Sequence, residues 1–353
     1  MKKTSFDYII SRLKEDKPEL YSVFTAWEEY NWFFRDKHGR FLARYSGRRS
    51  YECEVSNFLF DIGLLDIEWP RMAHFAVVLT HDVDQSRMGK IYSMGSSIKA
   101  LRQGGLKDAS RRFVGMFNKK YNPLMNFRHI MMMEAENSAK STFFFLVNKK
   151  DFGGGNNLEE LVDEINFIVD KGWEIGLHTG YFSYDDPNKI ADEKRLLEKV
   201  AGCKVRGVRN HFLRFLVPRT WEVLSKFFDY DSTFGYADHV GFRNGMCHPF
   251  KPYTPDGKII DIWEIPLTVM DTTFIKYMDA DSREAFEWIK LLTRKVEKVK
   301  GVITLLWHNT TFDELVYAEY ARMYRGLLRY FKARGAWLTS CGELYDYWVE
   351  RFA

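Results

Sequence analysis

From residue 71 onward the chain alternates between two textures. Short apolar runs stand at residues 74–80 (HFAVVLT), 141–147 (STFFFLV), 173–179 (WEIGLHT), 204–210 (KVRGVRN), 259–270 (IIDIWEIPLTVM), 301–308 (GVITLLWH) and 336–340 (AWLTS). These seven are predicted strands. Between them apolar residues recur at helical spacing. The clearest set is Leu158, Leu161, Val162, Ile165, Ile168 and Val169, closed by Lys171 and Gly172. Further helices are predicted after Pro218, over 281–299 and over 313–333. Strands alternating with helices predict an α/β fold with parallel strands, either a barrel or a doubly wound sheet. In both, chemistry gathers at the carboxyl ends of the strands. Residues 1–70 differ, being rich in aromatics and charge (FTAWEEYNWFFRDKHGRFLARY) without recognisable chemistry. They are expected to form an N-terminal extension or a small domain ahead of a unit at 71–353.

The strand ends carry the chemistry. In VVLTHDVDQS (77–86) the apolar run finishes in His81, Asp82 and Asp84, three groups that are costly to desolvate together. Alternation puts Asp82 and Asp84 on one side with His81 turned away, so His81 is expected to be structural. Other strands end in His178, in Arg209 and His211, in Asp271 and in His308. Any one of these has a bland reading, as a packed histidine or a helix-capping aspartate. Five strands ending this way point to one polar rim. Carboxylates, imidazoles and an arginine at such a rim suit metal-assisted hydrolysis, with a carboxylate as base and a histidine as acid. No GxSxG or HExxH motif competes, and FGGGNN (152–157) lacks the Lys-Ser/Thr ending of a phosphate loop.

Composition narrows this picture. The 353 residues are 46% hydrophobic and 16% aromatic, enough for one large barrel with an extension or two unequal domains. The net charge of +4 gives no sign of a nucleic-acid binder. Nine Lys/Arg and one acid fall between Arg87 and Lys120, so that segment carries +8 and the remainder −4. Cys53, Cys203, Cys247 and Cys341 form no CxxC pair and suit reduced thiols. The first twenty residues hold no apolar signal core, and no window is apolar enough to span a membrane. A cytoplasmic location is expected.

The order of strand–Asp-x-Asp, strand–His, strand–Arg, YDS, EIPL and a late strand–His resembles the polysaccharide deacetylase family, carbohydrate esterase family 4, over residues 71–345. The resemblance implies a distorted (β/α) barrel of about seven strands, with a basic helical insertion at about 87–135. It also implies a divalent metal, usually zinc, and removal of acetyl groups from amino sugars. THDVD (80–84) resembles the first motif, which makes Asp82 the general base and Asp84 a metal ligand. LHTGYFS (177–183) resembles the His-Ser/Thr-x-x-His motif, with His178 as metal ligand. RNHF (209–212) resembles the Arg-x-Pro-Tyr motif. Arg209 would then orient Asp82, and the backbone N–H of Phe212 would face the oxyanion. YDSTFGY (230–236) matches the segment that commonly follows, and TLLWHN (304–309) resembles the last motif, with His308 as general acid. Asp271 would hold the His308 imidazole, or be an ordinary strand-end aspartate.

One position departs from the pattern. Where a second histidine should stand, this chain has Phe182. His211 could supply the missing nitrogen, Ser183 or water could fill the place, or the site could bind sugar without metal. The loop at 237–253, with Asp238, His239, Arg243 and His248, could line a sugar pocket or be a plain connection. The basic stretch could be a solvated face or engage an anionic substrate such as a nucleotide- or lipid-linked sugar. The function expected is a metal-dependent deacylase acting on an amino sugar or sugar precursor in envelope or surface-polysaccharide metabolism. The alternatives are a silent carbohydrate-binding relative and a hydrolase of other non-peptide C–N bonds. Oligomeric state is not legible.

Overall fold

Buried on both faces, the apolar runs become the strands of one parallel sheet with helices packed outside it. The computed structural model describes residues 5–30, 32–102, 105–115 and 121–352. The strands are β1 (Phe75–Val83), β2 (Thr142–Leu146), β3 (Glu174–Thr179), β4 (Gly207–Asn210), β5 (Tyr230–Asp231), β6 (Trp263–Glu264), β7 (Val269–Met270), β8 (Val302–Leu306) and β9 (Ala336–Thr339). Their order is β6-β5-β4-β3-β2-β1-β8-β7, and β9 pairs with the first half of β1. The sheet curls into a barrel-like α/β fold, so every strand end opens on one rim.

Nine strands stand where the sequence predicts seven. One addition is the two-residue β5. The other arises because the run at 259–270 is not a single strand. Its amides change partner along the way: Ile265 N–H donates to Asp231 O and Leu267 N–H to Phe234 O, whereas Thr268 N–H donates to Thr304 O. The segment thus leaves one edge of the sheet at β6 and reaches the other at β7. Continuous apolarity could not reveal that switch.

Helix ends follow local rules. Asp186 caps Pro187–Ala201, with proline at the first helical position, and Asp281 with Glu284 forms a capping box on Ser282–Lys298. No helix of the described residues is long and apolar enough to cross a membrane. His81 points away from the rim into the helix layer. Its Nδ1 lies 2.8 Å from Trp307 O and its Nε2 2.8 Å from Glu134 Oε1. Glu134 also accepts from Ser141, Trp173 and Tyr324, so this buried carboxylate is fully satisfied.

The N-terminal residues share the barrel's core. Phe6 meets Trp263 edge-on, Phe24 meets Phe250, and Trp69 stacks near Trp348. The strongest tie is the buried pair of Arg243 with Glu29, whose Nε–Oε1 and Nη2–Oε2 distances are 2.7 and 2.6 Å. Removing one partner of such a pair strands the other charge in low dielectric. Glu29→Ala is therefore expected to destabilise the fold by about 3–5 kcal/mol, read by denaturant unfolding. Metal content at the rim, measured on the folded fraction, should be unchanged.

Candidate metal centre

Three strand ends bring potential ligands together. Asp84 follows β1, His178 lies in β3, and His211 follows β4. Their ligand atoms all lie within 4.8 Å of one another. Asp84 Oδ1 is 3.2 Å from His178 Nε2 and 3.6 Å from His211 Nε2. His178 Nδ1 lies 3.0 Å from Arg209 O, which can only accept, so Nδ1 carries a proton. The Nε2 lone pair of neutral His178 then faces a carboxylate oxygen. Both atoms are electron-rich, so a proton or a cation must lie between them. Asp84 Oδ1 is buried without a hydrogen-bond partner, as a ligand atom would be. The residues fit a divalent ion, with positions left for water and substrate.

Charge distribution sharpens the fit. Burial opposes the charge of Asp84, but His211, His178 and His308 hold its carboxyl well below the usual range. Burial lowers His211 to about 4, keeping it neutral and able to ligate at neutral pH. Its Nδ1 faces Asp151 at 4.0 Å, the side from which a ligand imidazole is usually oriented.

Asp82 and His308 flank this group. Asp82 Oδ1 accepts from Arg209 Nη1 at 3.0 Å. The fully buried Arg209 also donates to Thr80 Oγ1, Ser232 O and Ser232 Oγ, so its orientation leaves little freedom. His308 Nε2 lies 3.8 Å from Asp84 Oδ2, while Nδ1 lies 2.6 Å from Asp271 Oδ1. Asp271 Oδ2 accepts from the His308 backbone N–H as well, so one carboxylate fixes both ring and main chain. Burial works against a charged His308, but Asp271 outweighs it and pushes the imidazole up to about 9.

Asp82, Asp84, His178, His211 and His308 line a cleft of about 230 Å³, with Arg209 and Asp271 behind its wall. Phe212 forms part of its wall in a left-handed conformation (φ +60°). Gly153 opposes the Phe212 ring so closely that a Cβ there would lie 2.8 Å from it. The remaining wall includes Lys276, Tyr277, Tyr317 and Arg40. Arg40 comes from the N-terminal region that showed no chemistry in the sequence. It donates to Phe212 O at 2.9 Å and is held by Asp36. No local signal could have found it, because its role depends on a contact 172 residues away.

Four sequence candidates do not line the cleft. Asp238 accepts from the backbone N–H of Ala43 and from Arg44, and Arg243 pairs with Glu29. His239 lies 2.8 Å from Ser50 Oγ and His248 3.0 Å from Ser56 Oγ. The loop at 237–253 fastens the N-terminal residues, and a sequence cannot say whether such polar groups face ligand or chain. Ser183 donates to Glu193 at 2.6 Å, and Phe182 points into solvent, so neither replaces a ligand. Of the basic residues, Lys119 and Lys120 lie outside the described residues, as do the side chains of Lys90, Lys107 and Arg111.

Comparison with solved structures gives the fold its name. A Mycobacterium smegmatis protein assigned to the polysaccharide deacetylases superposes with a TM-score of 0.56 at 18% identity, over 82% of this chain and 95% of that one. The fold is that of the polysaccharide deacetylases. A Parabacteroides distasonis protein assigned as a glycoside hydrolase/deacetylase shares this polysaccharide deacetylase fold, with a TM-score of 0.51 at 14% identity. That superposition covers 82% of this chain and 73% of the other. The chain matches no protein-family model and no curated protein by sequence.

Metal analysis of the purified protein tests the centre. One divalent ion per chain is expected, lost on acidification toward the His211 pKa of about 4. His211→Ala should lower affinity by more than about 10–100-fold, the loss typical when only a residue supporting a ligand is removed. Ser183→Ala should leave it unchanged; the opposite ranking would exclude His211 as a donor.

Proposed function

We propose that the protein is a metal-dependent hydrolase that removes an acyl group, acetyl in the simplest case, from an amino sugar or sugar precursor. One observation carries the reading: Asp84, His178 and His211 converge between a carboxylate locked by arginine and a histidine locked by aspartate. The polysaccharide deacetylase fold supports it, since relatives of that fold are assigned to carbohydrate deacylation.

Asp84, His178 and His211 would hold the ion, zinc by the chemistry of one carboxylate and two imidazoles. A divalent ion there supplies charge that polarises an acyl carbonyl and acidifies water. The rest of the work falls to the chain. Asp82 takes the proton of the attacking water, and Arg209 keeps its carboxylate turned to the cleft. The backbone N–H of Phe212 faces the oxygen that gains charge. His308, protonated at neutral pH, delivers a proton from Nε2 to the departing nitrogen or oxygen while Asp271 steadies Nδ1. The opposite environments of His211 and His308, one held neutral and one held charged, separate ligand from acid. Tyr277 and Tyr317 offer rings and hydroxyls to a sugar, and Lys276 favours one that carries negative charge, as a phosphate-linked sugar does.

Screening acetylated amino sugars, free and nucleotide- or lipid-linked, for acetate release tests the reaction. On the substrate so found, Asp82→Asn and His308→Ala should each lower kcat by about 10²–10⁴-fold with metal retained. Full turnover by Asp82→Asn would remove it from the mechanism. Activity requires protonated His308, so it should fall as pH rises through the pKa of that group. Asp271→Asn removes the charge that raises this pKa, so the basic limb of the pH–rate profile should move to lower pH. An unmoved limb would separate Asp271 from the proton transfer.

A further inference from the structure

Beside the cleft, two helices turn apolar side chains outward. Helix Lys90–Arg102 buries Ser93 (1% exposed), Ser96 and Ala100, while Met94 (64% exposed), Ile98 and Leu101 face solvent. Positions 94, 98 and 101 follow the i, i+4, i+7 spacing of one helix face. The neighbouring helix Leu106–Gly115 also presents apolar side chains outward, Leu106 (76% exposed), Phe113 and Val114. A helix on a water-soluble body normally turns its apolar stripe inward, so a contiguous outward stripe marks a surface that meets something apolar.

Charge says what that is. The sequence from Arg87 to Lys120 holds nine Lys/Arg against one acid. Of the four whose side chains are described, Arg112 pairs with Asp313, Arg87 pairs with Glu160, Lys99 reaches the carbonyl of Val316, and Arg102 is exposed. Lys99 and Arg102 stand in the last turn of the first helix, each directly after an exposed apolar residue, Ile98 and Leu101. Exposed apolar side chains on a segment of such positive charge match an anionic bilayer, whose headgroups attract Lys and Arg while the stripe enters the acyl boundary. A second copy of this chain would bring the same cations face to face. We propose that the helical pair Lys90–Arg102 and Leu106–Gly115 is a docking surface for an anionic lipid membrane.

Its position relates it to the cleft. Lys99 Nζ donates to Val316 O, next to the cleft-lining Tyr317, and Asn309 Nδ2 donates to the carbonyl of the cleft-lining Gln85. The first helix of the docking surface thus packs against the segment that leads into the cleft wall. The docking surface does not depend on the hydrolase reading.

Co-sedimentation of the full chain with vesicles tests it. The protein should pellet with mixed phosphatidylglycerol–phosphatidylcholine vesicles and stay in solution with phosphatidylcholine alone. Salt should weaken the association as the Debye length falls from about 10 Å at 0.1 M to about 3 Å at 1 M. The variant Met94→Ser/Ile98→Ser/Leu101→Ser and, separately, Lys99→Glu/Arg102→Glu should each lower partitioning by at least about tenfold. All substituted residues are exposed, and unchanged circular dichroism and metal content would certify folding. No pelleting with anionic vesicles, or wild-type pelleting by both variants, overturns the proposal. A concentration-dependent dimer that the triple-serine variant abolishes, without vesicle binding, would assign the face to a second copy instead. None of these readouts measures catalysis, so their failure leaves the hydrolase reading standing.

Discussion

Everything at the rim depends on a guanidinium that never meets water. Arg209 sits fully buried over the Phe144 ring, and its bonds reach out of β4 to two other strand ends. Thr80 and Asp82 belong to β1, and Ser232 follows β5, so one side chain ties three strand ends. Such a charge is tolerable because all three nitrogens donate and one acceptor is itself charged. The arrangement cuts both ways. Asp82 is oriented by the arginine, and the arginine is stabilised by Asp82, so fold and site are not separable at this point.

Much of that rim was legible in the sequence because parallel strands report their own ends. Asp82, Asp84, His178, Arg209 and His308 each stop an apolar run, and a curled sheet collects such stops at one place. The order of the motifs then named a fold that superposition with solved structures also gives. What escaped detection lies in contacts between distant segments. Arg243 and Asp238 look like ligand-facing polar residues until Glu29 and Ala43 are found opposite them. Arg40 looks like an ordinary surface cation until the N-terminal residues fold against Phe212. Asp151, ahead of three glycines, carried no period or spacing that tied it to His211.

If Asp84, His178 and His211 hold the ion as proposed, the ligand set is redrawn at small cost to the frame. The side chain at Phe182 is on the surface, outside the ring of strand ends, and nothing in the barrel depends on it. His211 stands on β4's exit, beside the residue whose carbonyl orients His178. A nitrogen offered from there faces Asp84 from a neighbouring strand rather than from a loop after β3. Rigid placement by strands is what an ion of fixed bond length requires.

The middle position of β1 has a consequence for how the molecule comes into being. β1 carries both acids, yet two of its three neighbours, β8 and β9, are drawn from the far end of the chain. The hydroxyl of Thr80 waits for a carbonyl 225 residues downstream. During synthesis the nascent chain must therefore hold its longest strand half-paired until nearly all of it has left the ribosome. Loop closure over such distances is slow, and exposed strand edges invite association with other chains meanwhile. Maturation of the rim is thus a late, all-at-once event, gated by the arrival of the last two strands.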